Sequence, residues 1–340
     1  MRTVIVSVLA IALFGWFLRN ANLADVWTHV RHARIDMLFA GLAAILITYV
    51  MRAWRWQYLL DPIGPTRFRT AFRTTIIGFA ALGVLPARAG DVLRPYLLAK
   101  QEGLSTSATF ATIVMERVLD LIAVLALLAL FVWGIAGEDT LPPSMVRPIE
   151  VSSAVAGAVA LALMGVMWVL ATHPERIGKL VFSAARVLPH SMANRLAALA
   201  QTFSSGFAVA RDPRALGMAL LWSIPLWVAI SAEAWFVTVA FGINMPFSGT
   251  YLLQALLVIG VAVPTPGAVG SFHEAYRIGV TTFFGASNDA AVAAAIVTHA
   301  LSFLPVVLLG LVFMAQDGLS VGGLRTMASV AAEKEIPAQP

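Results

Sequence analysis

Glu116, Arg117 and Asp120 fall within five positions of one apolar stretch, Ser107–Gly137. Glu116 and Asp120 are four apart and share a helical face, and Arg117 reaches Asp120 at i+3. A charge in hydrocarbon costs roughly 2.5–3.5 kcal/mol on insertion scales. Three together therefore need partners or water. Two roles stay open: a polar lining that meets a lipid head group, with or without a proton, or an ion-paired packing cluster near the cytoplasmic interface. Paired carboxylates also suit an acid and a base. No nucleophile elbow or metal cluster accompanies them, and no residue is assigned a catalytic role.

Two further groups follow breaks in the apolar pattern. Arg88, Asp91 and Arg94 come just after Pro86. Two arginines at this spacing suit a phosphate, because guanidinium offers a planar fork of donors. Asp91 suits a cap on the following helix, and Arg88 also suits anchoring on the positive-inside principle. His273, Glu274 and Arg277 come after Pro264-Thr265-Pro266-Gly267. There Glu274 sits in a first helical turn, where the dipole favours an anion, and Arg277 pairs with it at i+3. Glu233 and His299 are single polar residues in spans, suited to a proton or to a local hydrogen bond. Arg52, Arg55, Trp54 and Trp56 read as an anchoring basic–aromatic belt.

The elements that must carry these groups are set by composition. Of 340 residues, 59% are hydrophobic and 12% charged, against about 25% charged in soluble domains. A bilayer explains the deficit. The chain has no cysteine, and its six histidines are scattered without a helical His pair, so neither a metal site nor a cofactor is expected. The net charge of +5 lies between apolar segments, which points to topology and anionic head groups rather than nucleic acid. No Walker-type run is present.

Spans are expected at Val4–Leu18 (retained rather than cleaved), Met37–Leu60, Ser107–Gly137, Val151–Thr172, Ala215–Phe241 and Ala290–Gln316. Thr74–Ala87, Thr250–Val263 and Ser271–Gly285 are shorter apolar pieces. His173–Arg214 carries two apolar stripes at helical spacing split by Pro189, as in amphipathic helices on a membrane surface. Its six basic residues, against one in Glu138–Glu150, place it in the cytoplasm. Both flanks of Thr74–Ala87 are then cytoplasmic, so that piece is expected to dip in and return.

Pro86 to Tyr96 can be laid on Pro266 to Tyr276, with Pro86 on Pro266, Gly90 on Gly270, Tyr96 on Tyr276, and Arg94 opposite Glu274. The topology gives the two units opposite orientations. Inverted repeats with broken helices characterise transporters, because lipid cannot satisfy the backbone groups a break exposes. Pro86, Gly90, Pro264, Pro266, Gly267 and Gly270 supply the breaks.

The ordered runs Gly90-Asp91-Val92-Leu93-Arg94-Pro95-Tyr96, Glu116-Arg117-Val118-Leu119-Asp120 and Pro264-Thr265-Pro266-Gly267-Ala268-Val269-Gly270-Ser271 resemble the lysylphosphatidylglycerol synthase transmembrane-region family, also called flippase-like. The resemblance runs from about the second span onward. It implies a lipid flippase or lipid-handling protein of the inner membrane. In the family's bifunctional synthases a soluble aminoacyltransferase domain follows the membrane part. A chain reaching Pro340 leaves no room for it, so enzymatic aminoacylation is not expected. Family members often carry two glycines after the second proline, where this chain has Gly267-Ala268.

The expected architecture is all-α and polytopic: one membrane domain over 1–340, half-repeats at 37–137 and 215–316, a cytoplasmic linker at 173–214, two re-entrant hairpins, and both termini cytoplasmic. The expected partners are a membrane lipid and a lipid-modifying enzyme. Three functions fit: a lipid translocator, an enzyme acting on a membrane lipid, or a membrane partner that recruits one.

Overall fold

Apolar runs of 14 to 30 residues, capped by Ser or Asp and interrupted at Pro and Gly, fold as helices. The computed structural model describes residues 2–85, 89–132, 143–184, 190–263, 265–320 and 322. In chain order the helices are α1 (Arg2–Leu18), α2 (Leu23–His32), α3 (Ile35–Leu60), α4 (Phe68–Val84), α5 (Ala89–Glu102), α6 (Thr106–Leu130), α7 (Pro143–Thr172), α8 (Pro174–Ala184), α9 (His190–Ser205), α10 (Pro213–Ala240), α11 (Gly249–Ala262), α12 (Ser271–Phe284) and α13 (Asn288–Gln316). Starts are set locally. Ser105 accepts from the Ala108 N–H before α6, Ser287 from Ala290 before α13, and Asp212 from Arg214 and Ala215 before α10, where Pro213 needs no partner.

Four segments are long and apolar enough to cross a membrane: Ile35–Ile63, Arg147–Thr172, Pro213–Ala240 and Asn288–Gln316. About six are expected from the sequence. α1 has 17 residues, short of the ~20 a span needs. α6 is long enough, but Glu116, Arg117 and Asp120 interrupt its apolar run. The end of the expected Ser107–Gly137 span lies partly outside the described residues. The piece expected at Thr74–Ala87 is a longer helix, α4, because Phe68 and Phe72 stack on each other and extend the apolar face toward Arg67.

α3 and α10 lie antiparallel and form the centre: a side chain at Gly41 would meet Val237, and at the other end Arg55 meets Ser223. α13 runs antiparallel to α4. Arg73 donates to Gln316 and Asp317 at one end, and Gly83 abuts Val307 at the other. α4 and α5 pack as a helical hairpin whose open end is joined by Arg67–Glu102. A β-carbon at Gly90 would fall 2.0 Å from the Gly78 carbonyl, so only glycine permits this approach. α11 and α12 form a second hairpin, with Gly260 against Ser271 and Ala275, and Gly249 against Phe284 at the open end. The two open ends sit at opposite ends of α13, and the tips meet where Gly267 faces Gly83.

The tip between α11 and α12 is backbone that L-residues avoid: φ is +59° at Gly267, +57° at Ala268 and +88° at Gly270. α1 lies against this tip through Phe14 and Phe17, which flank the His273 ring. α8 and α9 pair with each other as the stripes in His173–Arg214 suggest, and α9 also reaches α6, where Phe203 meets Phe110.

Candidate functional site

The charged residues of α6 do not stand alone. α3, α5 and α10 bring partners from three sides. Arg55 of α3 is fully buried. It donates to Asp120 Oδ1 at 2.6 Å and Ser223 Oγ at 3.0 Å, and lies 3.5 Å from Glu116 Oε1. Arg94 of α5 is 3% exposed and donates to Glu116 Oε1 at 2.9 Å. Its guanidinium sits 3.9 Å from the centre of the Trp56 ring, and Trp56 in turn donates to Thr112. Trp227 of α10 donates to Asp120 Oδ1 at 3.0 Å. Arg117 turns outward from this knot, donating to Asp91 Oδ1 at 2.7 Å and lying 3.7 Å from Asp120 Oδ2. Charge buried in this way is tolerated only when paired and hydrogen-bonded.

Beside the knot lies a cavity of about 430 Å³, within the size range of small-ligand sites. Its charged lining is Arg52, Arg117 and Asp120, its neutral polar lining Tyr49, Gln254, Thr265 and Ser302, and its walls are mostly apolar, including Phe79, Val258 and Phe303. The strained tip contributes Gly267 and Ala268. Arg52 is the unbalanced member. Its guanidinium lies 5.0 Å from the Phe79 ring and makes no hydrogen bond or ion pair among the described residues. Around the knot and cavity, the described residues count four guanidiniums (Arg52, Arg55, Arg94, Arg117) and three carboxylates (Asp91, Glu116, Asp120).

The residues singled out from the sequence thus divide. Asp91, Arg94, Glu116, Arg117 and Asp120 come together, and of these Arg117 and Asp120 face the cavity. Arg88, Pro86 and Pro264 lie outside the described residues. Glu274 and Arg277 form a two-pronged pair at 2.6 and 2.9 Å, and Arg277 also reaches Asn288 at 3.2 Å. This pair joins α12 to the start of α13, away from the cavity lining. His299 bonds the Gly267 carbonyl at 2.6 Å and stacks on Phe303, which fastens the tip.

Arg52 and Arg55 are the site residues the sequence did not assign. Only Trp54, 45% exposed, fits the interfacial belt. Trp56 and Arg55 are sealed because α3 is the central helix, covered by α4, α6 and α10. A signal was present in the charge balance: α6 carries two carboxylates and one arginine, and Arg52 and Arg55 are the cations one turn apart on the preceding span.

A bundle of long apolar helices around a buried charge knot is the build of a polytopic membrane protein. A family description for the lysylphosphatidylglycerol synthase TM region matches residues 4–310, and the chain belongs to that family. Among curated relatives, "Glycosyltransferase AglD" of Haloferax volcanii is 24% identical over 321 residues, covering 87% of this chain and 51% of that protein. The chain thus spans about half of that relative's length. A UPF0104 membrane protein of Methanothermobacter thermautotrophicus is 24% identical over 296 residues, 82% of this chain and 83% of the relative.

Proposed function

We propose that this chain is a lipid translocator of the inner membrane, carrying the head group of a phospholipid or lipid-linked intermediate through the cavity beside α6. The observation that supports it is Arg52: a half-buried guanidinium with no hydrogen bond or ion pair among the described residues, at the edge of an apolar-walled cavity whose carboxylate, Asp120, is engaged by Arg55 and Trp227. A buried cation without a partner is costly, and a phosphate diester supplies the missing anion in a geometry guanidinium matches. Arg117, on the lining of the same cavity, joins it, held in place by Asp91. The acyl or isoprenoid part lies along the apolar side. Arg94, Glu116 and Arg55 hold the wall that carries Arg117 and Asp120.

In this reading the α4–α5 and α11–α12 hairpins are re-entrant and enter from opposite faces, as an inverted repeat. α1 and α6 complete six spans, the charges of α6 being offset by α3 and α5. α8 and α9 rest on the cytoplasmic surface, and both termini are cytoplasmic. The hairpin tips meeting at Gly83 and Gly267 would then separate the two openings of the cavity, and movement there would alternate access.

The test is reconstitution in phosphatidylcholine vesicles with trace fluorescent phosphatidylglycerol, phosphatidylethanolamine or a polyprenyl-phosphate sugar. Wild type should accelerate crossing of at least one probe, and Arg52→Ala and Arg117→Ala should slow it. No acceleration of any probe would overturn the translocator reading. A second reading rests on the glycosyltransferase relative, of which this chain matches about half: the membrane part serves a lipid-modifying enzyme acting on a lipid-linked sugar. Turnover of such a lipid by purified protein, or co-purification with an enzyme that α8 and α9 recruit, would favour it.

A further inference from the structure

One buried carboxyl stands apart from the charge knot. Glu233 of α10 is 2% exposed, and among the described residues its side chain has a single partner, the Ser302 hydroxyl, which donates to Oε1 at 3.0 Å. It makes no ion pair among the described residues. Ser302 of α13 lines the cavity, and so does Tyr49 of α3, whose hydroxyl donates to the Ser302 carbonyl at 3.1 Å. Both lie near the middle of long helices. Glu233 is thus one hydroxyl away from the cavity that holds Arg52.

The other groups around it do not neutralise it. Arg52 on α3 lines the same cavity as Tyr49 and Ser302 and forms no ion pair with Glu233 among the described residues. Tyr276 of α12 bonds Thr238. On α13, His299 is one turn before Ser302 and engaged with Gly267. On α6, Arg117 and Asp120 line the cavity and are engaged with Asp91, Arg55 and Trp227. α11 faces the cavity with Gln254, which is bonded to the Ile230 carbonyl.

We infer that Glu233 carries a proton, so that the protein moves one proton together with each anionic lipid, in the same direction. Ionised, Glu233 raises the carboxylates of the described site to four against four guanidiniums. When a phosphate occupies Arg52, a proton arriving from cavity water at Ser302 Oγ is passed on as the hydroxyl hydrogen to Glu233 Oε1. The carboxylate becomes a carboxylic acid, the serine is unchanged, and the net charge of the loaded site equals that of the empty one. Release reverses both steps at the other face. An electroneutral load avoids moving net charge through hydrocarbon, which is the expensive step. This inference rests on the translocator reading.

The experiment uses the full chain in phosphatidylcholine vesicles with trace fluorescent phosphatidylglycerol, with and without an imposed pH gradient, the electrical potential clamped by potassium and valinomycin. With one proton per lipid, a gradient of about one pH unit should shift the inner-to-outer lipid ratio up to about tenfold, and an entrapped pH dye should report proton movement only when lipid moves. Glu233→Gln should show no shift relative to its own gradient-free distribution, Ser302→Ala a slower approach to it, and Glu233→Asp a partial return. Lipid crossing in wild type with the same distribution in both conditions would sink the proton inference and leave the translocator standing. A wild-type gradient response retained by Glu233→Gln would also sink it. No crossing of any lipid would remove both. The wild-type comparison decides even if the Gln variant fails to fold.

Discussion

Arg94 on α5 reaches Glu116 on α6 across 2.9 Å, with both side chains closed off from solvent. The pair joins the first hairpin to the helix that carries the charge knot, and the Trp56 ring covers the far side of the guanidinium. Removing Arg94 takes away the hydrogen bond to buried Glu116 and leaves it Arg55, at 3.5 Å, as its cation. Arg94→Ala is expected to cost about 3–5 kcal/mol, seen as loss of the monodisperse peak in detergent and a lower melting temperature. Arg94→Lys keeps the charge but not the flat contact with Trp56, and should fall between. If Arg94→Ala is as stable as wild type and loses only lipid movement, Arg94 is a ligand-binding residue and not a brace.

Arg52 should behave in the opposite way. It packs on Phe79 and makes no ion pair among the described residues, so Arg52→Ala should cost only about 0.5–1 kcal/mol in stability. Binding of an anionic lipid should weaken and lose part of its salt dependence, measured by lipid titration of the protein's tryptophan fluorescence or by native mass spectrometry. Equal binding of anionic and neutral lipid by wild type would contradict the role given to this side chain.

The contrast between these arginines shows what a sequence can and cannot say. Arg117 with Asp120, and Glu274 with Arg277, are pairs within one helix, and three-residue spacing is visible in a window of a few positions. The breaks at Gly267 and Gly270 are visible because proline and glycine act on their own backbone, whereas Gly90, expected as a break, lies inside α5 and permits close packing on Gly78 instead. Arg55 meets Asp120 across 65 positions, and no local pattern says which helix faces which. Arg52 and Arg55 lie in the last third of a span beside two tryptophans, a composition that an interfacial belt and a buried knot share. The short apolar length of Thr74–Ala87 set it apart from the full spans, but its pairing with α5, which carries Arg94 and Lys100, was not legible. Nor was the meeting of the two tips, which depends on α13 crossing both hairpins.

The glycines aligned between the hairpins give a third test. An added methyl at Gly90 would meet the Gly78 carbonyl and the Leu82 N–H, and at Gly270 the backbone of Leu13 and Phe14 at φ +88°. Neither neighbour is a flexible side chain, so Gly90→Ala and Gly270→Ala should each destabilise by about 1–3 kcal/mol or more. Ala268 should respond with the opposite sign. Among the described residues it is the non-glycine one with positive φ, at +57°, which costs an L-residue about 1–2 kcal/mol. Glycine relieves that cost and returns about 0.4–1 kcal/mol of unfolded-chain freedom. Ala268→Gly should therefore raise stability by about 1 kcal/mol or less. A marked loss on thermal denaturation in detergent would mean that the buried Ala268 methyl packs more favourably than the turn is strained.

Arg94 and Glu274 fall opposite each other when the sequence from Pro86 to Tyr96 is laid on that from Pro266 to Tyr276, yet they sit in different electrostatic surroundings. Arg94 answers a carboxylate on another helix with no exposed surface, while Glu274 answers Arg277 one turn away, with side chains 17% and 19% exposed. Water reaches the second pair and not the first. Glu274→Gln should thus cost about 1.5–3 kcal/mol, the range for hydrogen bonds to charged groups, because Arg277 keeps Asn288 and some solvent. Glu116→Gln leaves Arg55 and Arg94 facing each other without their shared carboxylate, and should cost about 3–5 kcal/mol. Unfolding both variants in parallel in a fixed detergent, at low and at high salt, separates the cases. Salt should narrow the deficit of Glu274→Gln, since ions screen a pair that solvent reaches, and should leave that of Glu116→Gln in place. Equal deficits and equal salt responses would mean that the second pair is as sealed in the folded bundle as the first.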